Sequence, residues 1–514
     1  MREAYLATEP SNGPDDNTAT FKRDFMLQAQ KQLESIRGQQ LPGISAHAIR
    51  QMLNLIRLRT EPEARLREIS AALGSPKPDP NYLNDLTDLT WYLNGKLDSV
   101  PIREDVSDFQ FKVKRPQNDY TPLTAAQKQP EFEESYADVA DLREISPLMD
   151  WLVTVQSPAS AARKHAVSEW KRTRTMPWLV AALAKLSGSD AEVSEIVAAA
   201  EMVPTASPAW PSVAYHRIRL LIETGHLDEA RTELSAAFPL IVSVGSDSTV
   251  NLFTGLRMHS ATTLDVALAD APRRILDRVS TEQASIDECL SVMKDPKRKY
   301  DCKDPKNPVE FSTDSAALFN TQMPLATLAD AARSSALPPP LRQSVAMMTW
   351  VRAVLLKNDR VAAQMLPLLP SKLQQQAGVG TGFHQLTAIL RNPGLRPYLD
   401  PGVQRSYSYD FVESYADNWW CADWSNIFAE AHGTSQPQPV AFLVPSSRTA
   451  AERELADLHT LGSSDEYLGS QVISYANAHP NDRDVPEALY LTLRMVRYGC
   501  YHEYTIYGHA NDSN

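Results

Sequence analysis

Two proline-bounded segments of nearly equal length restrict the fold of this 514-residue chain more than any other feature. The first is PWLVAALAKLSGSDAEVSEIVAAAEMVP, residues 177–204, and the second is PSVAYHRIRLLIETGHLDEARTELSAAFP, residues 211–239. Their opening prolines are 34 positions apart and their closing prolines are 35 apart. Proline is favoured where a helix starts and cannot continue one, so each segment predicts a helix, a short polar turn and a second helix.

The second segment carries apolar residues at the helical period on both sides of a glycine. Gly225 suits the left-handed turn between two helices, and Ala230 is small where their backbones would approach. The period, the turn sequence ETGHLDEA and this alanine resemble the tetratricopeptide repeat, without its usual aromatic residue after the turn. The two facing apolar stripes are Ala214, Ile218, Leu221 and Ile222, and Leu227, Ala230, Leu234 and Ala237.

Two further segments predict helix pairs at irregular spacing along the chain. QSVAMMTWVRAVLLKNDRVAAQMLPLLP spans residues 343–370, where Asn358 and Asp359 replace glycine in the turn. AHAIRQMLNLIRLRTEPEARLREISAAL spans residues 46–73. Repeats of this kind stack so that each buries its apolar face on its neighbour. The predicted fold is therefore all-α, an irregular tetratricopeptide-like right-handed solenoid of antiparallel helix pairs.

Composition shifts along the chain predict seven regions. The last region begins after a Gln/Pro-rich linker and should hold helices at Thr449–Leu461, Asp465–Ala478 and Pro486–Tyr498, with Ser464 capping the second. The regions are 1–98, an N-terminal helical segment; 99–135, a polar linker or loop; 136–245, tetratricopeptide-like repeats; 246–320, an insertion with a helical stretch over 264–279 and a cysteine loop; 321–431, helical repeats ending in DNWWC; 432–448, a linker; and 449–514, C-terminal helices and a tail.

The motifs PWLVAAL, AYHRIRLLIETG, DNWWC and PEALYLTLRMVRYGC together resemble a family of apparently secreted bacterial proteins with degenerate helical repeats. The resemblance covers roughly residues 150–505. It implies export and an N-terminal extension ahead of the start of this chain. It implies no catalytic residues.

Charge and hydropathy limit the classes of partner. The net charge of −12 argues against a nucleic-acid binder, which needs a basic surface to displace counterions. No window reaches the roughly 20 apolar residues of a membrane span, and MREAYLATEPSNGPDD lacks the apolar core of a signal peptide. Taken alone, these features favour a cytoplasmic protein, whereas the cysteines and the resemblance favour a periplasmic or secreted one.

Four cysteines, Cys289, Cys302, Cys421 and Cys500, permit two disulfides in three connectivities. Cys289 and Cys302 flank a short polar loop and could close it, in which case Cys421 and Cys500 would join two C-terminal segments. Four reduced thiols remain the alternative. No CxxC motif occurs, so a zinc ribbon is not indicated.

Two sequences carry chemistry-bearing residues without the spacing that a site requires. CYHEYTIYGH holds Cys500, His502, Glu503 and His509, but two histidines on one helical face would need i and i+4 spacing. AGVGTGFHQL, residues 377–386, is glycine-rich, but helix-forming residues precede it where a phosphate loop follows a strand. We interpret the first as a polar tail and the second as an interhelical turn, and we expect no metal and no cofactor.

The leading functional hypothesis is a non-enzymatic scaffold or adaptor that binds a protein, peptide or glycan along the groove of the helical repeat. Candidate binding residues on the first helix of the best repeat are His216, Arg217, Arg219 and Glu223. The alternative is an exported helical hydrolase or lyase acting on polysaccharide or peptidoglycan. Its carboxylates need not be close in sequence, and a pocket that joins Asp or Glu with His or Tyr would favour it.

The stretch DNWWCADW, residues 417–424, contains three tryptophans. Trp420 and Trp424 would share one face of a helix, and we expect that face to pack on the last helix through the apolar stripe Leu489, Leu493 and Val496. Trp419 would then point away, as a candidate for a binding surface.

Overall fold

The structure, a computed structural model, describes residues 23–37, 39, 45–75, 77, 80–97, 111, 123–274, 309–378, 382–395, 397, 403, 419–420 and 440–498. This part of the chain is all-α, as predicted, with consecutive helices packed on one another. It divides into two compact units, Met1–Lys114 with Leu123–Lys185, and Arg115–Pro122 with Leu186–Asn514. The division falls inside the first predicted repeat, after its first helix.

The first unit is built from helices joined by short turns. Its described helices are α1 (Arg23–Arg37), α2 (Ala46–Thr60), α3 (Pro62–Leu73), α4 (Tyr82–Leu97), α5 (Ala125–Asp138), α6 (Ala140–Ile145), α7 (Pro147–Gln156), α8 (Ser160–Thr173) and α9 (Met176–Lys185).

The helix pair predicted at residues 46–73 is confirmed as α2 and α3. The side-chain oxygen of Ser45 accepts a hydrogen bond from the Ala48 backbone N–H at 3.4 Å and caps α2. Pro62 opens α3, where its missing N–H leaves no hydrogen bond unmade. Leu66 of α3 is fully buried in the core of this unit. The capping serine and the N-terminal proline, both visible in the sequence, therefore mark where the two helices begin.

Helix α5 occupies the end of the stretch 99–135, which we expected to be a linker or loop. A capping box starts it: Thr124 Oγ1 accepts from the Gln127 backbone N–H at 3.3 Å, and Gln127 Oε1 accepts from the Thr124 backbone N–H at 2.8 Å. Pro130 lies inside the helix, and this proline and the sparse apolar residues hid the helical period from the sequence.

The second unit contains the remaining helices and a two-stranded pairing. Its described elements are α10 (Val193–Glu201), α11 (Trp210–Glu223), α12 (Leu227–Val244), α13 (Asp247–His259), α14 (Leu264–Ala269), β1 (Arg273–Arg274), β2 (Val309–Glu310), α15 (Thr313–Ala317), a π-helix (Leu318–Gln322), α16 (Leu325–Ala331), α17 (Pro339–Leu355), α18 (Asp359–Met365), a 3₁₀ turn (Leu366–Leu368), α19 (Ser371–Ala377), α20 (Gly382–Arg391), α21 (Pro445–His459), α22 (Ser464–Ala478) and α23 (Val485–Tyr498).

The helix pair of the best predicted repeat is confirmed as α11 and α12. Gly225 between them has φ +81°, the left-handed conformation that glycine adopts without strain. Ala230 is completely buried, and Ile218 and Leu234 lie with it in one core cluster. The predicted facing stripes therefore meet.

Pro239 does not end the second helix of this repeat, contrary to our prediction. It lies inside α12, which continues to Val244. Proline in a helix interior removes one hydrogen bond and clashes with the preceding turn, a cost of roughly 3 kcal/mol. Ala237 and Ile241 on either side are buried in the core, and this packing opposes the break.

The helix predicted over residues 264–279 is also wrong at residues 270–274, and residues 275–279 lie outside the described part of the chain. Helix α14 ends at Ala269, and Arg273–Arg274 pairs antiparallel with Val309–Glu310. Pro272 explains the end, because it lacks an N–H and disfavours the helical conformation of the residue before it.

The pair predicted at residues 343–370 is confirmed as α17 and α18. Asn358 Oδ1 accepts a hydrogen bond from the Val361 backbone N–H at 3.2 Å and caps α18. The left-handed residue of this turn is Lys357, with φ +55°, at a place where glycine is more common.

A fully buried arginine joins three segments of the second unit. Arg352 of α17 donates from Nε to the Pro397 carbonyl oxygen at 2.5 Å, from Nη1 to that of Phe319 at 3.4 Å and from Nη2 to that of Asn320 at 2.5 Å. Phe319 and Asn320 belong to the π-helix, whose last carbonyls have no donor within the helix. Burial lowers the pKa of Arg352 to about 10. The guanidinium therefore caps a helix end from inside the core.

The three C-terminal helices predicted from the sequence are confirmed as α21, α22 and α23. The N-cap position of α22 is Ser463, not Ser464, which is the first helical residue and is fully buried. Within the described residues, no helix combines the length and apolar character needed to cross a membrane.

Candidate functional site

Arg217, a predicted binding residue, is surrounded by carboxylates of its own unit. Its guanidinium forms ion pairs with Glu233 of α12, with Glu229 at 3.4 Å and with Glu201 of α10 at 3.7 Å. Its side chain is only 13% exposed. Arg217 therefore ties α10, α11 and α12 together, and its charge is already balanced within the protein.

Arg219 and Glu223 form a second internal network. They pair with each other one helical turn apart, and Arg219 Nη2 donates to the Leu186 carbonyl oxygen at 2.8 Å. Glu223 Oε2 accepts from the Gly188 backbone N–H at 2.7 Å. A Cβ at Gly188 would lie 2.7 Å from the Glu223 Cβ, so this approach requires glycine. Both predicted residues therefore hold the segment before α10 against α11.

His216 is a neutral, half-buried imidazole. Burial, with a smaller contribution from the Arg219 charge, lowers its pKa from 6.5 to about 4. Its ring lies edge-to-face with Tyr215, with centroids 5.1 Å apart. Among the described residues, nothing forms a hydrogen bond with His216 Nδ1. The uncharged ring is a packing element of α11 at neutral pH.

Tyr215 adjoins the predicted residues, and sequence reasoning missed it. Burial raises the pKa of its phenol, with opposing effects from Arg219 on one side and Asp314 and Glu223 on the other. Its ring centroid lies 6.0 Å from that of Phe253. No local motif marks this cluster, because Asp314 comes from a distant part of the chain.

Asp314 of α15 is held in place by two donors. Arg273 Nη2 donates to its Oδ2 at 2.6 Å and Ser312 Oγ to its Oδ1 at 2.5 Å. Although burial alone would raise the pKa of Asp314, the Arg273 charge and these hydrogen bonds hold it below its usual value. A lowered pKa favours the ionised carboxylate, so Asp314 is unsuited to donate a proton near neutral pH.

Trp419 and Trp420 are both buried in the core of the second unit. Trp419, a predicted binding residue, is 2% exposed and does not reach the surface. Neither residue is helical, contrary to the predicted helical face. The Trp420 carbonyl oxygen accepts from the Ser464 backbone N–H at 3.0 Å, next to helix α22.

Several predicted residues lie outside the described part of the chain. They include the disulfide candidates Cys289, Cys302, Cys421 and Cys500, together with Trp424, His502, Glu503 and His509. Within the described residues, no group of three His, Cys, Asp or Glu side chains has the arrangement of a metal site.

The apolar stripe predicted to bury α23 faces solvent instead. Leu493 is 70% exposed, and Leu489 and Val496 are exposed with it. Tyr490 on the same helix and Ile473 on α22 are also exposed, and sequence reasoning missed both. Two apolar stripes of α23 fit the helical period, and the sequence does not show which of them is buried. The structure buries Ala488, Leu491 and Met495 and exposes Leu489, Leu493 and Val496.

The fold places this chain in the class of all-α proteins built from neighbouring helix pairs, compatible with helical repeats. Comparison with protein-family models, curated proteins and solved structures found no significant match.

Proposed function

We propose that this protein is a non-enzymatic helical scaffold that binds a partner protein through the exposed stripe of α23. The observation that supports the proposal is the exposure of Leu489, Leu493 and Val496 at i, i+4 and i+7, beside Tyr490. Single exposed apolar residues are ordinary, but a contiguous apolar stripe marks an interaction surface. This stripe replaces the predicted groove residues as the main contact, because Arg217, Arg219 and Glu223 are used internally.

The partner that fits is an acidic amphipathic helix. Spacing of i, i+4 and i+7 matches the way in which one helix lays its apolar face on another. Arg494 and Arg497 flank the C-terminal half of the stripe. The acidic group nearest its start, Glu487, pairs with Arg391 at 2.6 Å. Basic groups beside an apolar stripe favour a partner that carries carboxylates there.

The alternative, a hydrolase or lyase, would need a carboxyl group that donates a proton. Asp314 and Glu223 each act electrostatically on the Tyr215 phenol, but the Arg273 guanidinium holds the pKa of Asp314 below its usual value. This arrangement supports a structural anchor better than a general acid, and we therefore favour the scaffold.

A synthetic helix tests the proposal directly. The probe carries leucines at i, i+4 and i+7 flanked by glutamates, and a matched peptide carries lysines in their place. We expect the acidic peptide to bind at micromolar concentration, as measured by fluorescence anisotropy, and the basic peptide to bind much more weakly. Leu493→Glu should weaken binding about 10-fold or more, because one buried leucine contributes about 1.5–3 kcal/mol.

Two controls sharpen this test. Val266→Glu changes an exposed apolar residue on α14 and should leave binding unchanged. The double variant Arg494→Glu/Arg497→Glu should weaken the acidic peptide and strengthen the basic one. Equal affinity for both peptides, or binding that is insensitive to Leu493→Glu, would overturn the proposal.

The finer features of the sequence prediction also belong to the proposal. They are a tetratricopeptide-like array, export, and disulfides joining Cys289 to Cys302 and Cys421 to Cys500. The φ of Gly225 and the burial of Ala230 support the first. Mass measurement of alkylated native protein, with and without reductant, tests the disulfides. Four alkylated thiols without reductant would contradict them.

A further inference from the structure

Helix α4 in the first unit turns its carboxylates inward. Arg65 of α3 contacts Asp85 at 2.5 Å and Asp88 at 3.2 Å, and the side chains of Arg65 and Asp85 are almost completely buried. Leu89 and Leu93 share this inward side and belong to the core. A buried arginine with carboxylate partners fixes the rotation of α4 about its axis, because turning the helix would strand a charge in the core.

The opposite side of α4 is apolar and faces solvent. Leu83 is 74% exposed and Trp91 is 57% exposed. Leu86 and Tyr82 are also exposed. This arrangement reverses the usual placement of apolar residues in a surface helix. The exposed face consists of Leu83, Leu86, Thr87, Thr90, Trp91 and Asn94, and Tyr82 is exposed in the first turn of the helix.

The two threonines add to the apolar character of this face. Thr87 Oγ1 donates to the Leu83 carbonyl oxygen and Thr90 Oγ1 to that of Leu86, each at 2.8 Å. Their hydroxyl groups are thus satisfied within the helix, and each can be covered at a smaller desolvation cost than a hydroxyl bonded to water.

No charged residue occupies an exposed position of α4 from Tyr82 to Asn94. A cation lies beside this face: the Arg59 guanidinium is 5.4 Å from the centroid of the Trp91 ring. A chain with net charge −12 repels its own copies over most surfaces, so an uncharged face is where two copies can meet without like-charge repulsion.

We propose that the α4 face binds a second copy of this chain across a twofold axis. Four exposed positions, Leu83, Leu86, Thr87 and Thr90, are symmetric about the midpoint between Leu86 and Thr87. Two antiparallel α4 helices would therefore pair large residues with small ones. The contacts would be Leu83 with Thr90 and Leu86 with Thr87. Each contact occurs twice, as an isologous interface requires.

This interface is independent of the α23 stripe and so of the proposed scaffold function. One helix pair buries less than the roughly 1,200–2,000 Å² of a standard stable interface. We therefore expect a weak dimer that forms at micromolar concentration.

Sedimentation equilibrium over 1–100 µM, as an order-of-magnitude range for weak dimers, tests the proposal. The full chain should show a mass rising toward twice that of the monomer. Leu86→Glu should abolish this rise, because it places two like charges beside the twofold axis. Glutamate is a good helix former, and unchanged circular dichroism would show that α4 still folds.

A charge-swap experiment distinguishes loss of a specific symmetric dimer from loss of non-specific self-association. Leu86→Lys alone should also be monomeric, whereas an equimolar mixture of Leu86→Glu and Leu86→Lys should form a heterodimer. Ile473→Glu, an exposed apolar residue in the other unit, should leave the wild-type dimer intact.

Three outcomes would overturn the proposal. They are a wild-type chain that stays monomeric throughout the range, a dimer that survives Leu86→Glu, and a mixture of the two charged variants that remains monomeric. The first would leave another protein as the occupant of the face, and the second would place the dimer contact elsewhere.

Discussion

Arg352 Nη2 and the carbonyl oxygen of Asn320 lie 2.5 Å apart inside the core of the second unit. The contact joins the last turn of α17 to the π-helix, 32 residues earlier in the sequence. It exists because the π-helix ends with carbonyls that need a donor, and because α17 passes where a long side chain can supply one.

Replacing Arg352 with methionine should destabilise the second unit by about 3 kcal/mol or more, because three buried carbonyls lose their donor. Urea denaturation followed by circular dichroism would measure the shift of the midpoint. The matched control is Arg333→Met, which breaks an exposed pair with Asp330 and should change stability by about 0.5 kcal/mol or less. Similar losses for both variants would contradict the capping role.

The low pKa of His216, about 4, predicts a pH-dependent stability. Between pH 6.5 and 4 the unfolded state binds a proton that the folded state excludes, so stability falls as the pH falls through this window. His216→Phe keeps an aromatic ring beside Tyr215 and removes the titration. The wild-type protein should lose stability relative to the variant between pH 7 and pH 4.5, as measured by urea unfolding. A constant difference between the two proteins would show that the imidazole titrates normally.

The pair of Arg65 and Asp85 should behave as a buried ion pair. Arg65→Met alone should cost about 3–5 kcal/mol, because it leaves buried carboxylates without a cation. Adding Asp85→Leu should recover part of that loss, and a double-mutant cycle measures the coupling. Arg67→Met, which breaks an exposed pair with Glu63, is the control and should have little effect. Additive single losses would refute the coupling.

Gly255 on α13 permits the contact between Arg273 and Asp314. An added Cβ would lie 2.8 Å from Asp314 Oδ2 and 3.5 Å from Arg273 Nη2. Gly255→Ala should therefore destabilise the second unit by about 1–3 kcal/mol, despite the better helix propensity of alanine. Gly382→Ala is the control, because an added Cβ there would meet open space, and it should be neutral or stabilising. Thermal unfolding of both variants measures the two effects. Equal effects would mean that Asp314 moves away without cost.

Local patterns predicted the helices well and the candidate site poorly. The pairs α2 and α3, α11 and α12, and α17 and α18 all follow from apolar period, proline and turn residues. The errors at Pro239 and α14 arose where packing outweighed a breaker or where a proline ended a helix early. Tyr215 and Asp314 could not be grouped beforehand, because their proximity depends on how separate helices pack.

Helix identity could be read from the chain itself, because periodicity, caps and the left-handed turn at Gly225 act over a few residues. Which face of each helix is buried and which is exposed was decided only by the tertiary structure. Leu493 is exposed while Leu491 is buried, although both positions fit an apolar stripe. Arg217 forms ion pairs with three carboxylates of its own unit and is not available to a ligand. The ion pair of Arg65 with Asp85 holds the charged side of α4 against the core, and the apolar side therefore faces solvent. Each of these outcomes depends on charges and surfaces from separate elements, and only packing brings those elements together.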